Sequence, residues 1–301
     1  MIKDYNGYED EGFYVDRNRV KLWQIELHLL EYFKGTCEKN GLSYFLIGGS
    51  AIGAVRHQGF IPWDDDLDIG MLRPDFEKFV DKCRRDLNDD IYLEYGLHSE
   101  QKEFYPFCRL RDRNSTGVIR SQYKRKGVHG VFIEIYPFDK VPTARFIRKI
   151  QWSLSDLIIQ ILNYRIYSEN RKKPKLIAPF IKNISNDQLF AFWKGVCTFF
   201  NNSNCHLVDT VSIPVYSSSE CDLFELSDLQ KTKEIPFENT QVSIAAGYDR
   251  ILRKTYGDYM LIPDLEHRGV HHNTEVFYNP NKSYTEYQSF DFLDDKFKSR
   301  R

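Results

Sequence analysis

The sequence predicts a mixed α/β (α+β) fold: a mixed sheet flanked by helices, followed by a mainly helical C-terminal half. Three observations carry this. Asp66 to Met71 and Val131 to Tyr136 alternate apolar and polar residues at the period of a strand. Helical apolar spacing brackets them, at Arg19 to Asn40 and Arg73 to about Leu87. From about Pro142 to Asn202 the spacing reads as helix again, with Ile147, Ile150, Leu154, Leu157, Ile158 and Ile161 as one stripe. The expected division is an N-terminal arm over residues 1–18, a core over 19–140, and a region over 141–301 that completes the site.

Each element has a local reason. Leu22, Ile25, Leu29, Leu30 and Phe33 define the first helix, and Gly41 suits its left-handed cap. Ser43 to Ile47 reads as a short buried strand entering Gly48-Gly49, and Ser50 is placed to cap a short helix from Ala51 to about His57. Gly59 and Pro62 break that helix. In the strand from Asp66, residues Asp66, Asp68 and Gly70 share one face and Leu67, Ile69 and Met71 the other. Pro74 fits a first helical turn. Strands are expected near Ile91 to Tyr95, Phe107 to Arg111 and Thr116 to Arg120. In Val131 to Tyr136, Glu134 lies opposite Val131, Ile133 and Ile135. A short strand at Val242 to Ala245, a helix at Gly247 to Tyr256, and a tail with little structure beyond Tyr278 complete the chain.

Composition narrows the class. A chain of 301 residues with 42% hydrophobic and 28% charged residues is an ordinary globular protein. A net charge of −1 offers no global attraction to nucleic acid, so an anionic substrate needs a local basic group or a metal. Cys37, Cys83, Cys108, Cys197, Cys205 and Cys221 contain no C-x-x-C pair, which excludes zinc-ribbon and redox motifs. The N-terminus has no apolar signal segment, and no apolar run approaches the roughly 18 residues of a membrane span. A cytoplasmic protein is expected.

The informative stretch is Gly48-Gly49-Ser50 followed by Trp63-Asp64-Asp65-Asp66-Leu67-Asp68. On a strand, Asp66 and Asp68 stand about 6.6 Å apart on one face. Two such anions repel, and a divalent cation relieves the conflict; an oxygen-only ligand set suits Mg²⁺ or Mn²⁺. Glu134, on a second one-sided strand, is a candidate third ligand or a base for a hydroxyl. The glycines let backbone amides approach an anion at a helix N-terminus. Three rival motifs fail. An EF-hand loop from Asp64 would need Gly where Ile69 stands, a Walker A loop would need Lys where Ala54 stands, and a dinucleotide fingerprint has Ser50 for its middle glycine.

Gly48-Gly49-Ser50-Ala51-Ile52-Gly53-Ala54-Val55-Arg56-His57 and Gly59-Phe60-Ile61-Pro62-Trp63-Asp64-Asp65-Asp66-Leu67-Asp68-Ile69-Gly70 closely resemble the LicD family, which includes the animal fukutin-related proteins. Glu134-Ile135-Tyr136-Pro137-Phe138-Asp139 looks like the family's Asp-Ile-Phe-Pro-Leu-Asp motif. Tyr256-Gly257-Asp258-Tyr259-Met260, with Pro263 and His271-His272 beyond, looks like its C-terminal motif.

The resemblance implies a nucleotidyltransferase-type fold. It implies transfer of a phospho-alcohol, phosphocholine or a polyol phosphate, from a CDP-linked donor such as CDP-choline to a hydroxyl of a cell-surface glycan or its lipid-linked precursor. Teichoic acid, capsule or lipopolysaccharide synthesis is the setting. By position, Asp66 and Asp68 match the metal pair. Glu134 matches a third acid that is Asp in the family, and its extra methylene moves the carboxylate by roughly 1.5 Å. Gly48, Gly49, Ser50, Arg56, His57, His271 and His272 are the expected donor-binding residues. NMP transfer and a non-catalytic cation-binding module are the alternatives; no nucleic acid is expected. Arg171-Lys172-Lys173-Pro174-Lys175, beside Leu176, Ile177, Phe180 and Ile181, is a candidate for peripheral contact with the inner face of a membrane.

Overall fold

The computed structural model describes residues 2–98, 103–166, 183–213, 223–268 and 276–298. The chain opens with a hairpin, β1 (Gly7–Asp10) and β2 (Phe13–Asp16). The expected loose arm is therefore folded, and Val15 is fully buried in the main core. Helix α1 (Arg17–Asn40) is capped by Asp16, whose carboxylate accepts from the Arg19 amide at 2.8 Å. Gly41, at φ 61°, ends it and donates to the carbonyls of Cys37 and Glu38.

Next come β3 (Phe45–Leu46), α2 (Gly48–Arg56), β4 (Asp68–Leu72), α3 (Arg73–Arg85), β5 (Ile91–His98), β6 (Glu103–Asp112), β7 (Thr116–Ile119) and β8 (Phe132–Val141). In β8, Ile133 and Ile135 are fully buried, as are Leu67, Ile69 and Met71 along β4 and its approach. These side chains pack with Trp23, Leu29, Leu30 and Phe33 of α1 and Phe76 and Phe79 of α3. Each such burial contributes about 1.5–3 kcal/mol. A one-residue slip of β4 would turn these apolar residues out and the aspartates in, so burial sets the register.

The second half holds two long helices, α4 (Arg145–Ile166) and α5 (Asn186–Thr198), which bury Trp152, Ile158, Ile161, Leu162, Leu189 and Trp193 between them and the sheet. It also supplies strands that the periodicity did not foretell: β9 (Leu207–Asp209), β10 (Phe224–Glu225) and β11 (Thr232–Phe237), beside the expected β12 (Thr240–Ala245). Short α6 (Leu226–Leu229) and α7 (Tyr248–Tyr256) flank these strands. Along the main path the order is β10-β9-β8-β4-β3-β12-β11, with β6 also on β8 and β5 on β6. β4 runs parallel to β8 and β12 parallel to β3, while β6 and β9 are antiparallel to β8, so the sheet is mixed. The two halves thus share one sheet. Edge strands of mixed polarity, such as Thr232 to Phe237, escape periodicity because one face is wet.

Three further expectations are corrected. The strand predicted from Asp66 begins at Asp68. In α4, Ile147 and Ile150 are 46% and 51% exposed, and the buried face instead runs through Gln151, Trp152, Ser155 and Ile158. The helix is apolar on two sides, and the stripe read from spacing is partly the outer one. The tail is ordered: β13 (Val276–Asn279) pairs with β7, and Phe290, Leu293 and Phe297 pack on Val118. A last helix, α8 (Asp294–Lys298), ends the described chain. The basic segment from Arg171 to Ile181 lies outside the described residues. Among the described residues no helix is long and apolar enough to cross a membrane.

Candidate active site

The apolar face of the central strands lies under α1 and α3, so the opposite face carries the polar side chains. It floors a cleft of about 690 Å³, whose walls include Asp64, Asp66, Asp68, Glu134 and Tyr136. In the parallel pairing of β4 with β8, Asp68 stands directly opposite Glu134. The Glu134 amide donates to the Leu67 carbonyl at 3.0 Å, which extends the pairing back toward Asp66. Asp64, Asp66 and Asp68 all face the cleft, while Asp65, 2% exposed, turns the other way toward α1. Asp64 joins the pair expected from sequence; its position two residues before Asp66 was the available signal.

Asp68 is the uncompensated member. Its Oδ1 is buried with no hydrogen-bond partner. Burial, then the charges of Asp66, Glu134 and Asp64, push its carboxyl well above the usual range, against a lowering pull from Arg109. Glu134 differs. Arg109 Nε donates to its Oε1 at 2.6 Å, and the Tyr136 hydroxyl donates to Oε2. Arg109 also reaches Glu94 Oε2 at 3.2 Å, and Arg111 Nε lies 3.1 Å from the same oxygen. Glu94 and Arg111 are buried, so the charge chain is compensated within the protein. Arg109 stands opposite Glu134 in the β6–β8 register. It was missed because pairing across strands is invisible in one-dimensional spacing.

Among the described residues, no three His, Cys, Asp or Glu side chains form a ready-made metal cage. Asp66, Asp68 and Glu134 share the cleft without converging into the three-ligand set expected from sequence, because Glu134 is drawn to Arg109 and Tyr136. An orphaned buried oxygen beside like charges does fit a hard divalent cation held by one or two carboxylates, its other positions left to substrate phosphate.

The turn into α2 borders the same cleft through Ile47, Gly48 and Gly49. Gly48 has φ +57°, and a Cβ there would meet Asp68 Oδ2 and the Tyr256 hydroxyl at 3.7 Å. A Cβ on Gly49 would approach Asp64 Oδ2 to 2.5 Å, so glycine is what lets this backbone reach the acids. The helix begins at Gly48, earlier than expected, and Ser50 is no cap. Its hydroxyl instead accepts from the Asp68 amide at 2.8 Å, pinning the glycine turn to the head of β4.

Arg56 lines the cleft and donates to the carbonyls of Tyr259 and Leu261 at 2.7 and 3.0 Å, clipping the 256–263 segment onto the end of α2. His57 is not in the cleft wall. It meets Glu11 Oε2 at 3.1 Å, and burial holds its pKa below the ordinary value. Trp63 is buried and lines the cleft, with Arg268 over its ring at 4.8 Å. Asp139 is fully buried and takes two hydrogen bonds from Arg73, at 2.8 and 2.5 Å, and one from Asn201 at 2.7 Å. It orients the β4–α3 junction, and Arg73 is the partner that spacing did not reveal. His271 and His272 lie outside the described residues.

Behind the acidic loop, α1 presents Arg19, Trp23 and Glu26. Arg19 and Trp23 both donate to the Asp64 carbonyl, at 2.7 and 3.1 Å. Glu26 is fully buried, neither oxygen has a hydrogen-bond partner, and burial followed by Asp66, Asp65 and Asp64 raises its carboxyl well above the usual range.

Comparison with known proteins finds similar sequences. Residues 41–155 match the family model for the LicD/FKTN/FKRP nucleotidyltransferase domain. The chain is 28% identical over 271 residues to the lipopolysaccharide cholinephosphotransferase LicD of Haemophilus influenzae, covering 83% of this chain and 94% of that one. An uncharacterized protein of Rickettsia prowazekii is 50% identical over 122 residues, 32% of this chain and 44% of its own. The ribitol 5-phosphate transferase FKRP of Homo sapiens is 48% identical over 44 residues, 15% of this chain and 9% of its own.

Proposed function

The chain is a LicD-like transferase, and from that premise we propose that it moves a phospho-alcohol from a CDP-linked donor to a hydroxyl of a glycan or lipid-linked glycan. The phospho-alcohol is of the phosphocholine or polyol phosphate kind. One observation carries the reading: a single cleft joins the orphaned buried oxygen of Asp68, beside Asp66 and Glu134, to the glycine-built start of α2. A pyrophosphate-linked donor brings the complementary charges, with a cation for the acids and phosphate oxygens for the amides.

Asp66 and Asp68 are the residues that would hold Mg²⁺ or Mn²⁺, with Asp64 beside them. Such an ion supplies charge neutralisation to a bound pyrophosphate. The amides at the start of α2 orient phosphate oxygens. Arg56 keeps the far lip of the cleft closed against α2. Glu134 keeps a fixed orientation beside Asp68 through Arg109 and Tyr136. Each of its oxygens still has a lone pair for an acceptor hydroxyl, which makes it the candidate base.

The test uses CDP-choline labelled at either phosphorus, with Mg²⁺ and lipopolysaccharide as the first acceptor. Label from the phosphorus next to choline should enter the glycan, with CMP released. Label from the cytidine-side phosphorus in the acceptor would mean NMP transfer instead. Mn²⁺ binding without cleavage of CDP-choline or of a CDP-polyol would leave only a cation-binding module.

A further inference from the structure

Phe146 and Phe199 are 76% and 74% exposed, and Ile147 and Ile150 stand out with them at 46% and 51%. They gather at one end of the two-helix layer. Gln151 of α4 donates to the carbonyls of Val196 and Cys197 at 2.9 and 3.3 Å, so α4 begins where α5 ends. Phe146 and Ile150 lie one helical turn apart on the side of α4 away from the buried Gln151, Trp152 and Ser155. Phe199 comes directly after the last residue of α5 and meets Phe200 edge-on at 5.0 Å.

The two chain segments that carry these residues are basic. Residues 140–155 contain Lys140, Arg145, Arg148 and Lys149 and no Asp or Glu; residues 188–206 contain Lys194 and no acid. Lys194 reaches Glu77 of α3 and Arg148 is turned inward; Arg145 and Lys149 are exposed on the first turns of α4, next to Phe146 and Ile150 in the chain. Another exposed apolar run among the described residues, Met260, Leu261, Ile262 and Leu265, is interleaved with Asp258, Asp264 and Glu266. An anionic surface would repel that run and attract this one.

We propose that the α4-start, α5-end face docks on an anionic lipid bilayer. Phe146, Ile147, Ile150 and Phe199 enter the headgroup–acyl boundary, and Arg145 and Lys149 meet the lipid phosphates. Apolar side chains beside basic ones, with no acids among them, are what an interfacial helix requires. Binding to lipid needs neither donor nor acceptor, so this inference stands or falls apart from the transfer reading.

The experiment is co-sedimentation of the full chain with vesicles of phosphatidylglycerol or of phosphatidylcholine. The chain should pellet with the anionic vesicles and lose most binding on the neutral ones. The double variant Phe146→Ser/Phe199→Ser should weaken binding at least about tenfold. Arg145→Glu/Lys149→Glu should weaken it at least as much, since each near-surface cation is worth about fivefold. All four residues are exposed, so both variants should remain folded, checked by a cooperative melt of each. Failure to pellet with anionic vesicles would overturn the proposal, as would unchanged binding of both variants. A dimer in light scattering that the phenylalanine variant dissolves, with no vesicle binding, would assign the face to a second copy instead.

Discussion

The two walls of the cleft hold carboxylates of the same kind in opposite conditions. On the β4 side, Asp64, Asp66 and Asp68 crowd together, and Asp68 keeps a buried oxygen without a partner. On the β8 side, Glu134 is matched by Arg109 and Tyr136, with Glu94 and Arg111 behind. One wall leaves charge for an outside cation to satisfy, and the other satisfies its own. Acids on the first wall are expected to serve activity at some expense of stability. On the second wall, Arg109, Glu94 and Arg111 serve stability and hold Glu134 in position.

The sharpest break between the walls is Asp68→Asn. Transfer of labelled phosphocholine should fall about a thousandfold or more, while the metal-free protein melts at the same temperature or higher because a repelling charge is gone. A lower melting temperature with activity retained would reverse the assignment. Arg109→Ala tests the other wall. It leaves Glu134 and Glu94 without their shared cation, and urea unfolding should report a loss of about 3–5 kcal/mol.

Gly49→Ala places a methyl against the Asp64 carboxylate. Activity should drop about tenfold, with a stability loss of about 1–3 kcal/mol. The smallest effect concerns pH. Asp68 and Glu26 have folded-state carboxyls raised well above their ordinary values of 3.8 and 4.5. Above those values the folded state holds protons that the unfolded chain has released, so stability falls as pH rises toward the folded pKa. Glu26→Gln should flatten that fall as pH rises above 4.5, measured by urea unfolding without divalent cations.

Much of the first wall was legible in sequence. Leu67, Ile69 and Met71 had to be buried, which forced Asp66 and Asp68 to the far face, and the same logic set Glu134. The partners that hold Glu134 on the second wall were not. Arg109 and Arg73 look like ordinary strand and helix cations until the sheet brings them to Glu134 and Asp139. Periodicity also misjudged α4, where apolar residues occupy both faces and only packing decides which is inner. Ser50 suits a cap by local rules, yet a residue 18 positions away claims its hydroxyl.

The pairing of Leu46 with Ile244 has a consequence for biogenesis. On the ribosome, β3, β4 and β8 emerge and can pair long before residue 244 exists. Until then β3 presents an open edge, with Phe45 and Leu46 exposed to any passing strand. The nascent protein is most at risk of sticking to its neighbours in that interval, and a chaperone that shields this edge would raise the yield of finished molecules more than one that acts after release.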